Sequence, residues 1–336
     1  MRKTLLWFGL TLMLLQPLAV LAATEIKIAT VAPEGSDWMV RMRQSAERIA
    51  QRSQGRVNLK FYGGGVMGNE ASVLRKMRVG QLQGGAFTSG GLARIHKDLQ
   101  LYGLPLLARS AAEMACLRAV LDEELQQRLE QCGYIGFGFA SGGFACLFSG
   151  QPIERVEQLA GLKLWVPEGD QISYAVLQAL GLAPVTLPLS DVMTGLQTGL
   201  LDVVATSPLG ALAFQWYSQV NCMTEMPLAY VYAALVIDKR TIERLTAEDR
   251  QLLRDELEAV YRAIDGQAVA DNEAALQVLV QQGLQRVTPA AGELERWSAV
   301  ATEVSDRLAD NGQLSPELYC KARARLQQCR QQVPAQ

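Results

Sequence analysis

Apolar positions along this chain switch between the alternation of strands and the three-to-four spacing of helices, and the switch repeats. Residues 26–31 carry a short strand pattern, and Ala32-Pro33-Glu34-Gly35-Ser36 breaks it before a helical stretch over 38–52. Residues 57–62 alternate as a second strand and stop at Gly63-Gly64-Gly65. Residues 69–79 then predict a helix, and 84–88 a third strand. This β-α-β-α-β order implies a largely parallel sheet with helices on its faces. Ligands of such sheets bind beyond the carboxyl ends of the strands, which points to the loops 33–38, ending at Trp38, 63–68, and 88–91, beginning at Thr88.

The same grammar returns further on, with strands over 162–166, 183–187 and 203–206 and helices over 170–180 and 190–199. This predicts a second α/β unit with its own sheet. Segments 134–149, rich in Gly and Phe, and 230–237, rich in β-formers, join the two units. Two crossings suit a two-lobed α/β protein with a hinge, and a cleft between lobes is where small molecules bind. From 247 to 282 a proline-free stretch opens on the cap pattern Thr246/Asp249 and is interrupted only by Gly266. A helix of that length spans ~54 Å. It must therefore brace both lobes or break near Gly266. Further helices follow to about residue 328. The expected division is 1–23 as a signal peptide, 24–138 as the first part of lobe I, 139–234 as lobe II, and 235–336 as the return strand to lobe I, the long helix and the C-terminal helices.

The assignment of 1–23 rests on Arg2 and Lys3, the apolar run 5–15, and small residues around 20–23 suited to cleavage. It implies an exported chain resident in the periplasm. No later stretch has the ~20 consecutive apolar residues of a membrane span.

Composition narrows the function classes. The chain has 336 residues, 49% of them hydrophobic, with 32 Lys and Arg against 34 Asp and Glu. A net charge of -2 gives no basic excess for nucleic acid or an anionic membrane. The single histidine, His96, and the absence of CxxC leave no metal pattern and call for no cofactor. Ser141, in Gly138-Phe139-Ala140-Ser141-Gly142, does not sit in a G-x-S-x-G elbow. No catalytic constellation is expected, and the chain reads as a binding protein rather than an enzyme. If the cysteines are oxidised, Cys320 with Cys329 and Cys116 with Cys132 are the pairings that close short loops.

Ordered motifs carry a family resemblance. Residues 26–33 (IKIATVAP), 64–70 (GGVMGNE), 77–82 (MRVGQL), 159–167 (LAGLKLWVP), 180–185 (LGLAPV) and the run from Ser190-Asp191-Val192 to Leu200-Leu201-Asp202 resemble the DctP-like solute-binding proteins of tripartite ATP-independent periplasmic (TRAP) transporters. The resemblance implies a two-lobed receptor with a long brace helix that closes on a solute and delivers it to the membrane permease subunits.

One departure bears on the solute. In the family so resembled, most members carry at the position of Trp165 an arginine that grips a carboxylate, so this chain resembles a divergent branch without it. No Lys, Arg or His occurs between Leu164 and Asp238. Large apolar side chains concentrate instead in the hinge and second lobe, among them Phe144, Trp165 and Trp216. Trp165 is expected as a pocket wall. Of the few polar groups, which include Ser36, Ser89, Ser141 and Gln197, Thr88 and Thr206 weigh most because they end strands in opposite lobes, and Ser207 follows Thr206. The expected ligand-contacting set is Trp38, Thr88, Phe144, Trp165, Thr206, Ser207 and Trp216, and the expected solute is hydrophobic or weakly polar. The alternatives are an organic monocarboxylate held by backbone N–H groups or by a first-lobe arginine such as Arg41 or Arg94, and a sensory binding protein that feeds a signalling system.

Overall fold

The structure, a computed structural model, describes residues 23–332. The expected signal peptide, apart from its last residue, lies outside the described residues. In chain order the elements are β1 (Thr24–Ala29), α1 (Asp37–Arg52), β2 (Val57–Tyr62), α2 (Glu70–Arg78), β3 (Gly84–Thr88), α3 (Ser89–Ala93), α4 (Ala111–Gln131), β4 (Tyr134–Gly136) and β5 (Ala140–Ser149). They continue with β6 (Leu164–Pro167), α5 (Gln171–Ala179), β7 (Pro184–Leu187), α6 (Val192–Gln197), β8 (Val203–Thr206), α7 (Pro208–Ala213) and β9 (Cys222–Asp238). The chain closes with α8 (Lys239–Glu243), α9 (Ala247–Gln281), β10 (Gln285–Val287), α10 (Glu293–Asp310) and α11 (Pro316–Gln332).

Helix starts follow the capping chemistry of the sequence. Ser36, Asn69, Asp170, Ser207 and Thr246 each accept a hydrogen bond from a backbone N–H in the first turn of the helix they open. Buried faces follow the helical period. Met39, Met42, Ser45 and Ile49 turn α1 onto Ile26 and Ile28 of β1, and Leu117, Leu121, Leu125 and Leu129 are fully buried along α4.

Each lobe has a parallel core: β1 pairs with β2 and β3, and β6 pairs with β7 and β8. The expectation of two separate sheets is corrected by the pairing. Hydrogen bonds run without a break through β2-β1-β3-β9-β5-β8-β6-β7. The two antiparallel strands β5 and β9 are long enough to belong to both lobes; the 17 residues of β9 reach ~56 Å at strand rise. The sequence pattern located only the second half of β9, because Pro227 interrupts it. Between the pairs Ala145/Ala229 and Leu147/Thr224, β9 has more residues than β5, and Pro227 sits in that bulge where no ladder donor is needed.

α9 does not break at Gly266. It runs for 35 residues and packs on α1 of the first lobe, on α7 of the second and on β5 between them. Arg48 and Arg52 of α1 both bond Glu256, and Arg56 makes a two-pronged contact with Asp249 at 2.8 and 3.0 Å. At the other end Asn272 donates to Gly142 O of β5 and accepts from Leu209 N of α7, both at 3.1 Å. α10 packs on α5 and α11 on α4.

The disulfide expectation is also corrected. Cys116 of α4 is bonded to Cys329 of α11, with Cα atoms 6.5 Å apart, whereas Cys132 and Cys320 are free. Cys320 and Cys329 lie on one helix, ~13 Å apart by its rise, and Cys116 and Cys132 are separated along α4 by ~24 Å. Neither pair meets the ~4.4–6.8 Å that a bridge demands.

Candidate ligand-binding site

The carboxyl ends of both sets of parallel strands open onto one cleft of 750 Å³. The loop after β1, the start of α2 and the end of β3 with α3 supply one side, and β6, the loop after β7 and the end of β8 the other; the expected loop 63–68 does not line the cleft. β5 and β9 form the floor, and Ile264, Ala268, Ala275 and Val278 of α9 cover a further wall that the sequence did not point to. Small residues on one face of α9 let the long helix come this close.

Among the residues singled out from sequence, Trp38, Thr88, Trp165, Thr206, Ser207 and Trp216 line the cleft. Phe144 does not. On β5 the lining residues are Ala140, Ser141, Gly142, Ala145 and Leu147, so Phe144 is out of phase by one residue and packs its ring on Tyr230 at 5.4 Å. The register shift between Ser141 and Gly143 sets that phase, and sequence alternation did not show it.

Trp165, only 6% exposed, is fixed on two sides. Its Nε1–H donates to Leu187 O at 2.9 Å, and its ring meets Trp216 edge to face at 5.3 Å. With its one polar atom spent on the neighbouring strand, only carbon is left to face the cleft. Trp216 in turn lies tilted on Phe214 at 5.5 Å. The hydroxyls are mostly committed. Thr88 donates both N–H and Oγ1–H to Glu70, at 2.6 and 3.0 Å, and Ser207 caps α7 by accepting from Gly210 N. Thr206 is buried, and among the described residues its hydroxyl forms no hydrogen bond with the protein.

The charges of the cleft are unequal. Asp37, Glu70, Glu168, Asp170 and Asp271 line it, against Arg41 and Arg94. Both guanidinium groups are occupied: Arg41 bonds Asp37 at 2.5 Å and Gln267 at 2.9 Å, and Arg94 pairs with Glu168 at 3.0 Å. Burial pushes the Glu70 carboxyl above the ordinary carboxylate range, against the two hydrogen bonds from Thr88 that favour its charged form. Burial likewise raises Asp170, which accepts from Ser173 N and Oγ. No local pattern in the sequence marks Glu168 and Glu70 as site residues, since their partners lie 99 and 18 residues away.

Among the described residues no group of His, Cys, Asp and Glu is placed to hold a metal ion, and His96 serves as a cap that accepts from Asp98 N at 3.2 Å. No helix among them is long and apolar enough to cross a membrane.

Comparison with known proteins agrees with this architecture. A crystal structure of a TRAP periplasmic solute-binding protein from Shewanella oneidensis, with bound succinate, superposes with a TM-score of 0.84 at 21% identity, covering 91% of this chain and all of that one (100%). The C4-dicarboxylate-binding periplasmic protein DctP of Rhodobacter capsulatus is 24% identical over 274 residues, 79% of this chain and 80% of that protein. A Sinorhizobium fredii protein, y4mM, is 27% identical over 183 residues, 54% of this chain but only 34% of that longer protein. The model of the bacterial extracellular solute-binding proteins, family 7 (DctP), matches residues 28–311, and the chain belongs to this family.

Proposed function

We propose that this chain works in the periplasm as the receptor of a TRAP-type transporter, closes on a hydrophobic or weakly polar solute, and hands it to the membrane permease subunits. In this reading residues 1–23 direct export, 24–138 and 139–234 form the two lobes, and 235–336 returns to the first. Trp38, Thr88, Trp165, Thr206, Ser207 and Trp216 contact the solute.

The observation that carries the reading is the state of the two cleft arginines. Each already holds a carboxylate of the protein, and Trp165 stands where the family resemblance places the carboxylate-binding arginine. An apolar solute that buries ~300 Å² gains about 7 kcal/mol of gross transfer energy, whereas a carboxylate buried without a cation loses several kcal/mol. The Thr206 hydroxyl offers one polar anchor.

The rival is an organic acid, favoured by the succinate in the Shewanella oneidensis protein and the C4-dicarboxylate in the name of the Rhodobacter capsulatus one. Mass spectrometry of the protein purified from a periplasmic extract, native and then denaturing, separates the two. A retained neutral or apolar molecule supports the proposal. An empty protein whose thermal midpoint rises with millimolar succinate overturns it in favour of the acid.

A further inference from the structure

We propose that Glu168 sets the charge specificity of the cleft: it supplies from within the chain the carboxylate that Arg94 would otherwise take from an anionic solute, and so keeps acids out. The inference deepens the solute reading above and rests on it.

Arg94 is the residue at the C-terminal end of α3 in the first lobe, and Glu168 follows β6 in the second. The two meet across the mouth of the cleft. Arg94 Nη2 lies 3.0 Å from Glu168 Oε1, and the other oxygen, Oε2, accepts from Asn69 Nδ2 at 3.1 Å. One oxygen of a second-lobe carboxylate is thus in ion-pair contact with Arg94 and the other is hydrogen-bonded by Asn69, both from the first lobe.

The backbone is shaped for this contact. Gly169 has φ +98, and a Cβ there would stand 2.8 Å from Gly90 O; a Cβ on Gly90 would stand 3.0 Å from Glu168 O. A side chain at Gly169 would clash with the facing backbone, and one at Gly90 would push the two loops apart, so the glycines favour the approach that lets Glu168 reach Arg94. The carboxylate is tethered, so it competes for the guanidinium as a ligand present at about millimolar concentration or more, without being used up. Glu70, whose charge also acts on Arg94, is hydrogen-bonded by Thr88 N and Oγ1 and forms no ion pair with Arg94. Neutralising Glu168 therefore leaves one guanidinium at the cleft mouth without a committed carboxylate.

Isothermal titration with succinate on the wild type, Glu168→Gln and the double variant Arg94→Gln/Glu168→Gln tests this. Glutamine keeps the size and hydrogen-bonding reach of Glu168 at a half-exposed position, and circular dichroism checks the fold of each protein. The expected result is wild-type binding weaker than millimolar, at least tenfold tighter binding in Glu168→Gln, and loss of that gain in the double variant. A Glu168→Gln protein that binds succinate no better than the wild type overturns the role of Glu168 and leaves the apolar-solute reading standing. A gain that survives in the double variant overturns the role of Arg94, and the proposal with it. Micromolar succinate binding by the wild type overturns the solute reading itself. Glu168→Ala, which removes the side chain altogether, must show the same gain.

Discussion

Trp165 and Trp216 meet edge to face with ring centroids 5.3 Å apart and planes at 82°, although they come from different elements, β6 and the turn after α7. The edge-to-face geometry directs the positive rim of one ring at the negative face of the other and holds the Trp165 ring still. A rigid apolar wall loses little entropy when a solute lands on it. It is therefore suited to the contact that a flexible arginine would otherwise make.

Trp165→Ala should cost about 3–5 kcal/mol of stability, since it empties a buried site next to Val192, Leu196 and Val204. Trp165→Phe keeps a ring but loses the bond to Leu187 O, a cost of about 1 kcal/mol. Urea unfolding ranks the two. Trp165→Arg should abolish retention of the co-purifying molecule in native mass spectra; unchanged retention would remove Trp165 from the proposed contact set.

The Cys116–Cys329 bond joins residues 213 apart and ties α11 to α4. Cys116→Ser/Cys329→Ser should lower stability by about 2–5 kcal/mol, with α11 the first segment to lose protection in hydrogen exchange. Non-reducing peptide mapping should find Cys116 linked to Cys329, and Cys132 and Cys320 open to alkylation. A Cys320–Cys329 link would contradict the packing of the two helices.

The pH dependence of the brace helix has a definite sign. Arg56 holds the Asp249 carboxyl below its ordinary value, to which it returns, at about 3.9, in an unfolded chain. A depressed carboxylate pKa contributes stability that is present above the unfolded value and is lost as pH falls through the folded one. Asp249→Asn should therefore be less stable than the wild type at pH 5 to 7, with the gap closing below about pH 4. Thermal melts across that range read it directly. A gap independent of pH would mean that the cap and packing of Asp249 matter and its charge does not.

Local elements were legible because each rests on short-range chemistry. The strands at Val57–Tyr62, Gly84–Thr88 and Val203–Thr206 stand where the sequence pattern placed them, and the caps Asn69 and Thr246 open the helices their side chains suit. Long-range pairings were not legible. The joining of the two sheets depends on β9 continuing through Pro227, which a strand tolerates only at a bulge that its partner strand defines. The face of Phe144 depends on a register shift in the same ladder. The Arg94–Glu168 contact is favoured by the glycines at 90 and 169, which let two loops approach, and no spacing in the sequence announces that they meet.

The crossing strand β5 supplies the last test. Gly143 lies in β5 with φ +94, and a Cβ there would stand 2.5 Å from Asn272 Nδ2 of α9. Asn272 fills that space and bonds Gly142 O and Leu209 N, so one side chain ties the brace helix to the crossing strand and to the second lobe. Gly143→Ala must distort a left-handed backbone position and push Asn272 away, at about 1–3 kcal/mol for the backbone alone. Asn272→Ala leaves the Gly142 carbonyl and the Leu209 N–H unpaired, at about 1–3 kcal/mol. The two losses should not add, because each variant breaks the same contact. A double variant that loses the full sum would show that Gly143 and Asn272 act separately.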